Sequence, residues 1–267
     1  MCIDELLSIF FRPPTNERTE NSPSDGIALM IGCNYSGTDS ELHGCYNDAK
    51  MMSKHALNST IFKHDVRLYT SPENTGDYLI SEIERAVAAK PSYLWIHFSG
   101  HGQQVSDQSH DELDGIDEAI VIGDHQSVTL TDDQLASMMK RLTRHTKLLF
   151  TSDSCHSGSI LDLPYIHKYD ADTQSHSSIL EHYEMGTASM VCLSGCQDAQ
   201  YSYETASFGV SGGQFTRSLS SYLSECDDMN TIHLISLLHY MGQEFATRKQ
   251  HPVLSTNFPL YDNTTFF

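Results

Sequence analysis

Apolar runs and helically spaced apolar residues alternate along this chain. GIALMIGCNY, from residue 26, is a continuous apolar run closed by Gly and Asn, which predicts a buried strand. SELHGCYNDAKMMSKHAL follows with helical spacing, and HDVRLYT reads as a short strand. GDYLISEIERAVAAK sets Leu79, Ile80, Ile83 and Val87 on one helix face. SYLWIHFSG is a third strand, and EAIVIGD with SVTL forms a hairpin. TDDQLASMMKRLT has Thr131 at the N-cap and carboxylates in its first turn, so it predicts a helix. KLLFTSD is the fourth main strand. Further on, ASMVCLSGC reads as a strand, GGQFTRSLSSYLSE and TIHLISLLHYMGQEFATR as helices, and HPVLSTNF as a last strand. Strands alternating with helices, built from apolar runs, predict an α/β fold with a mainly parallel sheet covered on both faces.

Two stretches break the pattern. Residues 1–25 are rich in Pro, Asn, Ser and charge and read as a flexible tail. Residues 165–188 are polar and weakly patterned and read as a long connecting loop. The expected layout is therefore a large region (26–164), that loop, and a small region (189–267), the two regions forming one compact domain.

Composition narrows the function. With 267 residues the chain buries a core without covalent staples. A formal net charge of −19 argues against nucleic acid and against anionic membrane as partners, and suits binding of cations, whether basic peptides or metal ions. Seven cysteines in no dense framework imply reduced thiols in an intracellular, cytoplasmic protein. Cys192 and Cys196 lack a matching second pair, so no structural zinc is expected. The leading MCIDELLSIFFRPP carries acids where a signal peptide needs positive charge, and no segment approaches a membrane span. The fifteen histidines are scattered without metal-ligand spacing.

The chemistry gathers at two strand ends. SYLWIHFSGHG ends in Ser99-Gly100-His101-Gly102, and KLLFTSDSC ends at Cys155. Parallel α/β sheets place their sites at the carboxyl ends of strands. A thiol nucleophile needs a base, and histidine is the usual one. Cys155 is thus the candidate nucleophile and His101 its partner. His156 is a rival base, but adjacent side chains on an extended segment point to opposite sides. By the same alternation Asp153 points with Cys155. A carboxylate there attracts Arg or Lys and repels acidic side chains.

These residues also carry a resemblance. GCNY, LHGCYNDA, HFSGHG, DGIDEAI, LTDDQL, TSDSCHSGSILDLPY and GGQFTRSL together resemble the metacaspases, most closely the type I members, over nearly the whole chain from about residue 26. The resemblance implies a caspase-like three-layer sandwich and a cysteine endopeptidase cutting after Arg or Lys, acting as a monomer on basic peptides or proteins. In that family a His101–Cys155 dyad would do the chemistry, with the oxyanion held by the N–H groups of Gly102 and Cys155. The S1 pocket would be Asp48, Ser99 and Asp153.

A second, acidic set is Asp117, Asp132, Asp133 and Asp162. Taken alone, Asp132 and Asp133 are ordinary first-turn helix acids. The resemblance makes the four a calcium site, with Asp114 or Glu118 able to replace Asp117. Family members also clip themselves after basic residues, which points to Lys168, with Arg12 and Arg18 in the tail as further candidates. Three other readings stay open: a non-catalytic caspase-like scaffold that binds calcium or partners, a peptidase with a different P1 preference, and a thiol-dependent acyltransferase or ligase.

Overall fold

A computed structural model describes residues 26–107, 115–155, 158, 160–170, 175–180, 186–195, 204–207, 210–226, 229, 232–246, 251–261 and 264–265. In chain order these give β1 (Gly26–Gly32), α1 (Cys45–Asn58), β2 (Val66–Tyr69), α2 (Gly76–Ala88), β3 (Tyr93–Ser99), β4 (Gly102–Ser106), β5 (Ile116–Ile122) and β6 (Val128–Thr131). There follow α3 (Asp132–Met139), β7 (Lys147–Asp153), β8 (Tyr165–Asp170), β9 (Ser175–Leu180), β10 (Ser189–Ser194), β11 (Glu204–Ser207), β12 (Val210–Gly213), α4 (Gln214–Ser224), α5 (Leu234–Phe245) and β13 (Val253–Thr256).

Eight strands form one sheet in the order β2-β1-β3-β7-β10-β13-β8-β9. The five from β2 to β10 run parallel, and β13, β8 and β9 each join antiparallel. Because successive residues of a strand face opposite ways, the continuous apolar runs feed two cores. Ile27, Leu29, Ile31, Leu94, Ile96, Phe98, Leu148 and Phe150 pack against α2 and α3. Ala28, Met30, Trp95, Leu149, Val191 and Leu193 pack against α1, α4 and α5. Trp95, Phe98, Phe150 and Phe215 are at most 1% exposed, and burying each contributes about 2–3 kcal/mol. This is the expected three-layer arrangement, with its second core supplied by α1, α4 and α5.

Local signals set the helix starts. The Thr75 hydroxyl accepts from the Tyr78 N–H at the head of α2. Thr131 and Gln134 form a reciprocal capping box at the head of α3. The first helix begins at Cys45, not at Ser40, so residues 34–44 are a loop on the carboxyl side of β1.

Two expectations need correction. The stretch 165–188 is not a simple loop: it supplies β8 and β9, which extend the central sheet through β13. Its polar residues gave no apolar run to mark a strand. Likewise β4 was not anticipated; it joins the expected β5–β6 hairpin in a separate antiparallel sheet. The tail 1–25 lies outside the described residues. Among the described residues no helix is long and apolar enough to cross a membrane.

Candidate active site

The seam between β3 and β7 brings the predicted pair together. Ser99 lies opposite Asp153 in register, and the Gly100 N–H donates to the Asp153 carbonyl at 3.3 Å. Beyond the strand ends the two chains stay in contact. A Cβ built on Gly102 would lie 1.8 Å from the Cys155 carbonyl oxygen. Only glycine allows this approach, and it sets His101 and Cys155 in adjoining turns at the carboxyl rim. Cys155 is half-buried. His156 lies outside the described residues.

His101 is clamped from three directions. Its ring stacks on Tyr35, with centroids 4.6 Å apart and planes at 29°. Its backbone N–H donates to the Tyr35 hydroxyl at 2.7 Å, and that hydroxyl donates onward to the Val121 carbonyl at 2.6 Å. Its Nε2 lies 2.7 Å from the Ser40 carbonyl. A carbonyl only accepts, so the neutral imidazole carries its proton on Nε2 and leaves Nδ1 as the basic atom. The orienting group of this histidine is therefore a backbone carbonyl in the loop 34–44.

Asp48, Ser99 and Asp153 converge as expected, and a second element holds them. The Ser99 hydroxyl donates to Asp48 Oδ2 at 2.8 Å. The Gly213 N–H, at the N-cap of α4, donates to both Asp48 oxygens at 3.0 and 2.9 Å. Asp153 Oδ2 accepts from the Thr216 N–H and hydroxyl, each at 2.8 Å. Asp48 is 1% exposed and Asp153 4%. Burial of a carboxylate is costly unless it is hydrogen-bonded, and here the positive end of a helix supplies the donors. Gly213 is fixed by the same crowding, since a Cβ there would meet Asp153 Oδ2 at 1.9 Å.

The acidic set is only partly assembled. Asp117, Glu118 and Asp132 crowd together: Asp132 Oδ2 accepts from the Glu118 N–H at 2.7 Å, and its Oδ1 from the Asp133 N–H at 2.8 Å. Burial, then the charges of Glu118 and Asp117, push the Asp132 carboxyl up to about 8, against the hydrogen bonds that lower it. Asp162, in a left-handed conformation at φ 47°, lines a small cavity together with Ala136 and Lys140. Among the described residues no three His, Cys, Asp or Glu side chains are arranged to hold a metal ion. Asp114 lies outside the described residues, as do Arg12 and Arg18. Lys168 is not in a loop but in β8, paired on one side with β13 and on the other with β9.

Four contributors escaped the sequence reading: Tyr35, the Ser40 carbonyl, Gly213 and Thr216. Tyr35 lies in GCNY and Gly213 and Thr216 in GGQFT, motifs already singled out, so position was signalled but not role. The Ser40 contact is made by main chain and has no residue signature.

Comparison with known proteins points to one family. The family described as "Metacaspase, peptidase C14 domain" matches residues 27–164. Metacaspase-1A of Neurospora crassa is 40% identical over 151 residues, covering 52% of this chain and 33% of that protein. Metacaspase-3 of Arabidopsis thaliana is 30% identical over 239 residues, covering 83% of this chain. The matched region spans 66% of the Arabidopsis protein's length. Caspase-1 of Spodoptera frugiperda shares the fold, with TM-score 0.57, 13% identity and 96% of each chain covered.

Proposed function

The chain belongs to the metacaspase family, and on that premise we propose that it is a cysteine endopeptidase that cuts after Arg or Lys. The single observation that carries the reading is the seam itself. Two neighbouring strands end at Ser99 and Asp153, His101 and Cys155 follow two residues on, and the head of α4 anchors the carboxylates of Asp48 and Asp153.

The steps follow from the groups present. His101 Nδ1 takes the Cys155 proton, and the thiolate attacks the scissile carbonyl carbon, forming a C–S bond. The oxyanion falls to the Gly102 and Cys155 N–H groups. As the tetrahedral species collapses the C–N bond breaks, and the imidazolium returns its proton to the leaving amine. Water then attacks the thioester with His101 as base, releasing the acid and restoring the thiol. Asp48, Ser99 and Asp153 receive the P1 cation, and the negative charge of the two aspartates selects Arg or Lys over Asp.

Calcium fits the acidic set in its donor chemistry: a buried Asp132 carboxylate with Asp117 and Glu118 close by offers the oxygen ligands a hard divalent cation takes. Asp117, Asp132, Asp133 and Asp162 would hold it, with Glu118 adjacent. Bound there, it would supply positive charge that relieves this crowding. Self-cleavage after Lys168 would require β8 and β9 to leave the sheet. Mass spectrometry of calcium-treated protein tests this by seeking a fragment ending at Lys168.

The deciding assay uses fluorogenic peptides with Arg, Lys, Asp or Asn at P1, in calcium and after its removal. Turnover of Arg and Lys peptides alone, dependent on calcium and lost in Cys155→Ala, is expected. Equal turnover of Asp peptides would overturn the specificity, and full activity without calcium would remove the cation. Activity retained by Cys155→Ala would end the whole reading.

A further inference from the structure

A cationic side chain stands near Asp48 on the helix that anchors both acids. Both acids are nearly fully buried, and both draw their donors from the amino end of α4. The residue after Thr216 on that helix is Arg217, whose Nε is buried. Gly212 locates it. A Cβ built there would lie 2.8 Å from Asp48 Oδ1, 3.1 Å from Arg217 Nε and 3.5 Å from Arg217 Nη2. The Asp48 oxygen and the guanidinium thus lie near one point and within about 6 Å of each other, close enough for opposite charges to attract. The absent side chain at residue 212 is what lets them approach.

We propose that Arg217 is the resident counter-ion of the S1 pocket, competing with the substrate's P1 cation for Asp48 and so setting the pocket's affinity. This rests on the reading of Asp48, Ser99 and Asp153 as S1. The physical basis is a charge count. Two buried carboxylates demand compensation beyond hydrogen bonds, and Arg217 supplies half of it. When an Arg or Lys side chain enters, the same guanidinium repels it and holds part of the Asp48 field. Arg217 therefore weakens capture of basic side chains and makes no contact with the scissile bond. Its effect belongs in KM and not in kcat.

The test compares wild type with Arg217→Gln and with Arg217→Met, which keeps an unbranched apolar stem and drops the charge. Each is first shown to melt cooperatively. With P1 Arg and P1 Lys peptides the expected result is a KM about 3- to 10-fold lower than wild type, kcat changing far less. Agmatine, a free guanidinium amine, should inhibit the variants at correspondingly lower concentration. Unchanged or raised KM and agmatine inhibition in a folded variant overturn the role of Arg217. If neither variant folds, Arg217 is a structural residue and the proposal also fails. A wild-type enzyme that does not prefer P1 Arg and Lys over Asp and Asn overturns the S1 assignment itself, which the variants do not address.

Discussion

His97 and His101 lie on one strand and just beyond its end, four residues apart, and differ in almost everything that decides chemistry. His97 is fully buried, its Nδ1 2.9 Å from the Thr151 hydroxyl, which also accepts from Trp95 Nε1 at 3.1 Å. Burial alone pushes its pKa down to about 3, so it stays neutral. His101 is half-buried at the rim, held by Tyr35 and by the Ser40 carbonyl. Along the same face the side chains run from Trp95 and Thr151 through His97 to Ser99 and Asp153. The sheet thus turns from hydrocarbon to polar as it nears its carboxyl edge. The comparison teaches that one residue type on one strand is inert or reactive according to how far it stands from the sealed core.

The largest expected effect breaks the rim. Gly102→Ala forces the Cys155 backbone to move, and a displacement near 1 Å at reacting groups costs at least about 10²-fold in rate. Steady-state kinetics should show kcat/KM reduced by about 10²- to 10³-fold while thermal melting remains cooperative. Activity near wild type would mean that Gly102 and Cys155 do not share the reacting centre.

Next comes the interior. The His97 pKa is depressed on folding, so the unfolded chain takes up a proton below about pH 6.5 that the native state refuses. Stability is fully present above that value and is lost as pH falls toward 3. By about pH 4 the loss from this group is on the order of 3 kcal/mol. Melting curves of His97→Gln should therefore show a shallower decline in acid than wild type. Equal slopes would show that His97 is not sealed.

Asp153→Asn sharpens the contrast from the rim side. It removes a buried charge held by Thr216 and should lower kcat/KM on P1 Arg peptides by about 10²-fold. Alkylation of Cys155 by iodoacetamide, which carries no P1 side chain, should not slow in parallel. An equal loss in both measurements would point to misfolding instead of specificity. The smallest effect is that of Tyr35→Phe, which keeps the stacked ring but removes the hydroxyl between His101 N–H and the Val121 carbonyl. Losing that oriented contact should reduce kcat by about 10-fold with KM little changed.

Much of this was legible because continuous apolar runs announce parallel strands, and parallel strands announce where their ends meet. His101, Cys155, Ser99 and Asp153 stand at or just past those strand ends and were readable there, whereas Asp48, on α1, entered only through motif likeness. What stayed hidden was main chain or weakly patterned. The Ser40 carbonyl orients His101 without any residue preference at position 40. The strands β8 and β9 are polar and pair mostly with each other at the sheet's end, so neither apolar run nor strict alternation marks them. Gly213 and Thr216 anchor the acids through N–H groups that every non-proline residue has. Asp162 was grouped with Asp132 by likeness alone, since no spacing along the chain links the two positions.

The central claim is that sulfur, imidazole and the two acids serve one substrate site. A peptidyl alkylating reagent ending in Arg tests it most directly, with the labelled residue read by mass spectrometry. The account predicts modification at Cys155 alone, slowed in both His101→Ala and Asp153→Asn, and little reaction with the matching Asp reagent. Labelling of another cysteine, or equal labelling of Cys155 by the Asp reagent, would contradict it.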